Sequence, residues 1–214
     1  MSIEPFTIRA SSIGETWIEI ARRIMDSGAA SSYDGLAIRE VIMATLVVEA
    51  PTTTDDIVDR YADPERLAWM KANFVDYREV PELGDASSYA TRLHDYAGTG
   101  RDQLRWVSER LRRDPLSRSA TITTFQPLSD TSYIPCVSLL DFYLDEDALA
   151  LVVYAHSIDF GAKGYANLLE LAVIQHQVAS ELECSVGSLT MIVKSAHVYD
   201  SDAAYMTSVL ANFA

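Results

Sequence analysis

Positive charge is what this chain has little of. Its 17 lysines and arginines face 31 aspartates and glutamates, a formal net charge of -14 at pH 7 over 214 residues. That balance repels a phosphate backbone, and no stretch rich in Lys and Arg with interleaved aromatics offsets it, so no nucleic-acid polymer is expected as a partner. Long apolar runs are also missing. No 18 consecutive residues are apolar, and the opening Met1-Ser2-Ile3-Glu4-Pro5 has neither the basic nor the apolar part of a secretory signal. No membrane association is therefore expected, and the expected compartment is the cytoplasm. Two cysteines, Cys136 and Cys184, are too few for a disulfide framework and lack the C-x-x-C spacing of a metal site. Both are expected as free thiols, with no metal.

What remains is ordinary globular material, 49% apolar and 22% charged, and the length suits one domain spanning 1–214. Trp17, Ile20, Ala21 and Ile24 recur at helical spacing within 13–27, and Gly28 ends that helix. The β-branched run from Val41 to Val48 predicts a buried strand stopped by Pro51, and 52–100 reads as short helices and loops. A short helix over 102–113 is followed by strands at 120–125, 137–144 and 149–156, a long apolar helix at 166–182 and a last strand at 189–199. The expected class is α/β or α+β, a mixed central sheet with flanking helices.

One cysteine stands out by the polar residues downstream of it. Cys136, in Tyr133-Ile134-Pro135-Cys136-Val137, is succeeded by His156-Ser157-Ile158-Asp159, then Asn167, then His197-Val198-Tyr199. Taken singly, each residue has a plain structural use: a buried Cys is usually a small hydrophobe, Asp159 and Asn167 would cap the adjoining helix, and tyrosines are often half-buried. The order Cys, His, Asn also superficially suits a cysteine protease, but only eleven residues separate His156 from Asn167 and no local protease signature is present. His94 and His176 receive no role, and His176 is expected on the polar side of the long helix.

Taken jointly, the series resembles the active-site string of thymidylate synthases. In that family a Pro-Cys pair begins a strand, Arg-Ser-x-Asp ends the next strand twenty residues on, and an Asn follows eleven residues after that Arg. Cys136, His156 to Asp159 and Asn167 match this spacing without a gap, and His197-Val198-Tyr199 matches the family's His-x-Tyr. Arg118-Ser119 resembles part of its Ser-Arg-Arg loop, and Tyr89 lies where a site tyrosine is expected. The resemblance implies a thymidylate-synthase-like fold and C5 one-carbon transfer, methyl or hydroxymethyl, to a small-molecule pyrimidine substrate. The implied donor is 5,10-methylenetetrahydrofolate or a related pterin. It makes Cys136 the nucleophile at C6 and gives Tyr89 a place in proton transfer at C5. Asp159 falls in the base and folate pocket, Asn167 on the base, His197 and Tyr199 on the ribose, and Ser157 and Arg118 on a 5′-phosphate. It also implies a homodimer packed sheet to sheet, with Arg118 acting in trans.

The chain departs from that pattern where phosphate should bind. Of four family arginines one remains; the other positions read His156, Ser119 and Asp34. Each lost charged hydrogen bond costs about 1.5–3 kcal/mol of anion binding, so an altered analogue, a nucleoside or another heteroaromatic of specialised metabolism joins the candidate substrates. Asn167 favours uracil over cytosine. The family arginine beside the nucleophile also stabilises its thiolate, and His156 either replaces it in a Cys-His pair or stays neutral as a base. Trp69, Glu49 and Glu79 are candidates for the folate side. The seventeen residues after His197 resemble the short archaeal-type enzymes. A non-catalytic descendant that binds nucleotide without turnover is the other reading.

Overall fold

The fold is taken from a computed structural model that describes residues 4–75, 83–84, 86–131 and 133–213. Its strands are β1 (Phe6–Ala10), β2 (Ala29–Tyr33), β3 (Leu36–Val48), β4 (Ala120–Thr123), β5 (Val137–Asp145), β6 (Ala148–Asp159) and β7 (Ser185–Tyr199). They form a mixed sheet in the order β1-β3-β7-β6-β5-β4, with β2 pairing on the first half of β3 as an antiparallel hairpin. The β6 and β7 pair is parallel, so a crossover must join them, and α6 (Gly164–Leu182) supplies it. The other helices are α1 (Ile13–Ser27), α2 (Asp56–Tyr61), α3 (Pro64–Val75), α4 (Tyr89–His94), α5 (Gln103–Arg113) and α7 (Ala203–Leu210).

Helix α1 starts at Ser12, whose side chain accepts from Glu15 N, and it buries Ile13, Trp17, Ile20, Ala21 and Ile24 against the sheet. Trp17 Nε1 donates to Phe160 O at 2.9 Å, which ties the helix to the loop after β6. Helix α6 buries its apolar residues over β6 and β7. Its fully buried Gln175 donates to Leu149 O, Gly187 O and Ser188 O at 2.8, 3.1 and 3.2 Å, where the β6–β7 register shifts. One polar side chain thus satisfies carbonyls that the bulge takes out of the ladder.

A second break crosses the whole sheet. Pairing runs along Ala44↔Val193 and Ala155↔Val193, then resumes at Ile42↔Ser195 and Ser157↔Ser195, passing over Met43, Lys194 and His156. Between β5 and β6 the register shifts close by, at Ser138, between the Val137↔Ala155 and Leu139↔Tyr154 pairs. Met43 takes φ +60°, left-handed backbone that a non-glycine side chain adopts at a cost. Skipping one residue exchanges the faces of a strand. Before the break Ala44, Val193 and Ala155 enter the helix-covered core; after it Val41, Ala196 and Ile158 do. The intervening Ser157, Asp159, His197 and Tyr199 are turned out of the core.

On the face away from the helices, Leu139, Tyr154 and Ile192 form one cross-strand row, and Asp141, Val152 and Thr190 another. Tyr143 and Tyr154 remain partly open there.

Several elements differ from the sequence reading. The small-residue stretch after Gly28 is β2, closed onto β3 by a turn at Asp34 (φ +50°) and Gly35 (φ +77°), the geometry of a two-residue hairpin. β3 begins at Leu36 and β7 at Ser185, earlier than their apolar cores, because pairing continues through polar residues whose outer faces are open. β1 and α7 carry too little periodicity to read, being docked by neighbours. His176 does not simply face solvent, since its ring Nε2 lies 2.9 Å from Pro51 O.

Replacing Gln175 by Leu leaves three carbonyls without their donor, so Gln175→Leu is expected to lose about 1–3 kcal/mol of stability. A urea melt checks this: the midpoint falls with the slope unchanged, whereas an unmoved midpoint contradicts the role given to the amide.

Candidate active site

Because β5 runs antiparallel to β6, and β6 parallel to β7, the start of β5 lies beside the ends of the other two. The sheet break turns polar side chains outward at that same edge. Cys136 enters from the start of β5, His156, Ser157 and Asp159 from the end of β6, and His197 and Tyr199 from the end of β7. Asn167 comes from the first turn of α6 and Tyr89 from the start of α4. All eight line one cavity of about 430 Å³. Crevices at the carboxyl ends of parallel strands are where open α/β sheets bind ligands.

Cys136 is half-buried and reduced. Burial pushes its thiol up, the Lys163 ammonium pulls it down, and the Asp159 carboxylate pushes it up again. His156 lies with Nδ1 3.5 Å from Ser138 Oγ, and its ring is pushed down by burial and by the Lys194 ammonium. Of the two readings for His156, its surroundings favour the neutral imidazole. Asp159 is raised to about 6, by burial first and then by Asp202, despite the backbone hydrogen bond from Gly161 N at 3.0 Å.

Asn167 and Asp159 are not the helix caps that their residue types suggest. The cap position of α6 is Lys163, with no side-chain cap bond. Asn167 Nδ2 donates to Lys163 O at 3.0 Å, which fixes the amide orientation because only its NH2 satisfies a carbonyl. Its Oδ1 is buried without a protein partner. The same holds for His197 Nε2, whose Nδ1 lies 3.4 Å from Ser157 Oγ. Burial pushes His197 down, so a neutral ring is favoured. Tyr33 and Tyr199 pack on that ring at 6.0 and 5.1 Å, the latter edge-on.

The segment before Cys136 is held by a buried guanidinium. Arg92, 2% exposed, donates to both carboxylate oxygens of Asp130 at 2.8 Å, to Thr124 O at 2.8 Å and to Ser87 O at 2.9 Å. Burial pushes Asp130 up, but the hydrogen bonds from Arg92 and Gln126 N and the Arg92 charge bring it below its ordinary value, and the pair clamps the segment leading to Cys136 onto α4. Tyr89 completes the clamp: its hydroxyl accepts from Val137 N at 3.0 Å, and its ring stacks on Phe74 at 4.2 Å. Burial first, then the charge of Cys136, pushes Tyr89 well up, so it keeps its proton.

Of the nine residues matched to the family's catalytic and substrate positions, Arg118 is the one outside the cavity. It lies on the loop between α5 and β4, in a separate groove of about 590 Å³ with Leu116, Asp141 and Tyr143. Of the folate-side candidates, Trp69 lines the cavity, Glu49 pairs with Arg9 at the surface at 3.3 Å, and Glu79 lies outside the described residues. Lys163, Asn73, Tyr33 and Tyr133 also line the cavity, although the sequence reading gives them no role. Lys163 was within reach of the sequence, since it stands between Asp159 and Asn167 in the gapless string. Asn73, which accepts from Tyr89 N, had no motif around it.

A protein-family model described as thymidylate synthase matches residues 53–212. Similar chains include proteins named "Putative thymidylate synthase" from Methanosarcina mazei, 31% identical over 91% of this chain and 90% of that one, and from Methanosarcina acetivorans, 32% identical over the same shares. A bifunctional dihydrofolate reductase-thymidylate synthase of Zea mays is 29% identical over 58% of this chain and 26% of its own length. The cavity and these matches define a protein of the class that builds its site at a mixed sheet's strand ends around a cysteine. The chain belongs to the thymidylate synthase family, whose members are C5 one-carbon transferases that use methylenetetrahydrofolate. Among the described residues no helix is long and apolar enough to cross a membrane, and no cluster of His, Cys, Asp and Glu could hold a metal ion.

The raised Asp159 gives a pH signature. Unfolded, the group titrates near 3.8; folded, near 6. Its stability contribution is therefore full below about pH 4 and is lost as pH rises through 6. Asp159→Asn removes this loss, so the variant's stability relative to wild type should rise between pH 4 and pH 7. Thermal melts at both pH values read the difference, and a difference that does not change with pH contradicts the raised value.

Proposed function

We propose that this chain transfers a methyl or hydroxymethyl group to C5 of a small-molecule pyrimidine through a Cys136 adduct at C6, with 5,10-methylenetetrahydrofolate or a related pterin as donor. The observation that carries this reading is the pair of buried, unpartnered atoms, Asn167 Oδ1 and His197 Nε2, on residues that line the cavity with Cys136. Buried polar atoms need partners, and a ligand in the cavity supplies them in this reading. A uracil ring does so at Asn167: N3–H donates to Oδ1, and the second amide hydrogen reaches O4. A sugar hydroxyl donates to His197 Nε2. Trp69 and the open side of the cavity suit a second planar ring beside the pyrimidine.

Each residue then has a task. Pyrimidine C5 is a weak nucleophile; adding the Cys136 thiolate to C6 moves an electron pair toward C5 and O4 and makes C5 reactive. Asn167 stabilises the charge that develops at O4. The folate, when bound, supplies the one-carbon unit and, for a methyl product, the hydride. Tyr89, protonated and anchored to Val137 N, belongs to the proton path at C5. Asp159 serves the base and folate side, where its value near 6 lets it hold or release a proton near neutrality. Ser157, Tyr199 and His156 face the sugar and its tail.

The substrate tail remains with two readings. A nucleoside 5′-phosphate is supported by Arg118, provided it acts in trans across a homodimer packed through the uncovered sheet face that carries Tyr143 and Tyr154. A nucleoside or non-nucleotide heteroaromatic is supported by Asp34 in the cavity wall, which repels a dianion, and by a neutral His156, which adds no charge to hold one. In either case the unit is proposed to be a single domain. A purely binding descendant is disfavoured, since binding needs no thiol.

Two experiments test the reading. Incubation with 5-fluoropyrimidine nucleotides and nucleosides plus methylenetetrahydrofolate, followed by intact mass, is expected to give an adduct that Cys136→Ala abolishes. No adduct across uridine and cytidine series, with and without phosphate, would count for the binder. For the dimer, mixing Arg118→Ala with Cys136→Ala chains is expected to restore about a quarter of wild-type activity on the substrate so found, because half the dimers are mixed and each carries one complete site. No recovery argues against Arg118 in trans.

A further inference from the structure

An arginine normally stands beside the family's nucleophile, and here the position is His156, a ring whose surroundings favour its neutral form. The charge that acts on Cys136 must come from elsewhere. Among the described residues lining the cavity, Lys163 is the one side chain of fixed positive charge. It occupies the cap position of α6, where no side chain caps the helix, so its stem is free to lie back over the cavity. The ammonium sits 4.8 Å from the centroid of the Trp69 ring, and Trp69 lines the same wall. Its backbone is fixed as well: Lys163 N donates to Asp159 O at 3.0 Å, and Lys163 O accepts from Asn167. One residue therefore joins the acid and the base-reading amide, in the cavity that Cys136 also lines.

The groups that face Cys136 leave little else to do this. From the β2–β3 turn come Tyr33 and Asp34, from α4 Tyr89, and from the loop before β5 Tyr133. From β6 come His156 and Asp159, and from β7 His197 and Tyr199. Asp159 raises the thiol, the tyrosines are pushed up and keep their protons, and the histidines are pushed down toward the neutral form. We propose that Lys163 is the cation that favours the Cys136 thiolate against the burial and the Asp159 carboxylate that oppose it, supplying from the start of α6, with Trp69 as its rest, the charge that a neighbouring arginine supplies in the family. The S–H bond is broken without a dedicated base, its proton passing to solvent and its electron pair staying on sulfur. This rests on the reading of Cys136 as nucleophile. Lys163 acts on the sulfur through space, and the same ammonium counters Asp159.

The test needs no substrate, so its failure is separable from failure of the fluoropyrimidine adduct. Alkylation of Cys136 by iodoacetamide is followed against pH by peptide mass, which distinguishes it from Cys184. In Lys163→Met the midpoint is expected to rise by roughly 0.5–1 pH unit, and alkylation well below the midpoint to slow roughly three- to tenfold. Lys163→Arg should restore the wild-type profile. Added salt should raise the wild-type midpoint toward that of Lys163→Met, since the ammonium is exposed to screening. Trp69→Leu, which keeps the charge but removes its rest, is expected to give a smaller shift in the same direction. An unchanged midpoint in folded Lys163→Met overturns the proposal, as does a shift that Lys163→Arg fails to reverse.

Discussion

The site depends on a break in the sheet. Hydrogen-bonded strands alternate their side chains without choice, and a strand that enters a helix-covered core with every second residue would carry that pattern to its end. Here the ladder passes over Met43, Lys194 and His156 in one row and shifts at Ser138 in the neighbouring strand. Beyond that row the alternation is reversed, and apolar Ile158, Ala196 and Val198 take over the core while Ser157, Asp159, His197 and Tyr199 face a cavity. The left-handed Met43 carries part of the cost of this exchange. Without the break, buried carboxylate and imidazole would have to sit under the helices without partners, a cost of several kcal/mol.

Around that edge, other contacts fix what the break exposes. The parallel β6–β7 pair requires α6, and the start of α6 brings Lys163 and Asn167 to the strand ends. Trp17 on α1 holds the connecting loop through Phe160 O, and Phe160 N donates to His197 O at 2.7 Å, so the loop is bound from both sides. Arg92 and Asp130 bind the approach to Cys136 on the opposite wall. Losing either partner would leave a buried charge uncompensated, typically at about 3–5 kcal/mol. The Cys136 sulfur is thus set between two rigid supports, while its electrostatics depend on side chains nearer solvent.

Much of this was legible in the sequence, and unevenly. The core helices α1 and α6 and the strands β5 and β6 announce themselves by periodicity, and the spacing from Cys136 to Asn167 has a meaning that no single residue carries. What was hidden is what tertiary pairing decides. β1 and β2 are short and have little apolar alternation; they are strands because β3 offers them an edge. The sheet break has no local signature, since Met43, Ser138 and His156 are ordinary residue types for strands. Asn73 and Tyr133 enter the site through packing between distant segments. Lys163 lay within the matched string, but a lysine before a helix reads as a solvated residue until the Trp69 ring and the missing arginine are seen together.

In this family member the polar residues from Cys136 to Tyr199 that match the family's string line one cavity, with few cations around them. One cation sits in the cavity at Lys163, one lies in a separate groove at Arg118, and an acid, Asp34, stands in the cavity wall. The central claim is that Cys136 adds reversibly to C6 of a pyrimidine, and such addition labilises the hydrogen at C5. The most direct measurement is proton NMR of uridine and cytidine compounds, with and without 5′-phosphate, in D2O with the protein and no folate. The account predicts loss of the H5 signal for at least one of them, absent with Cys136→Ala; retention of H5 throughout, or exchange that survives removal of the thiol, would contradict it.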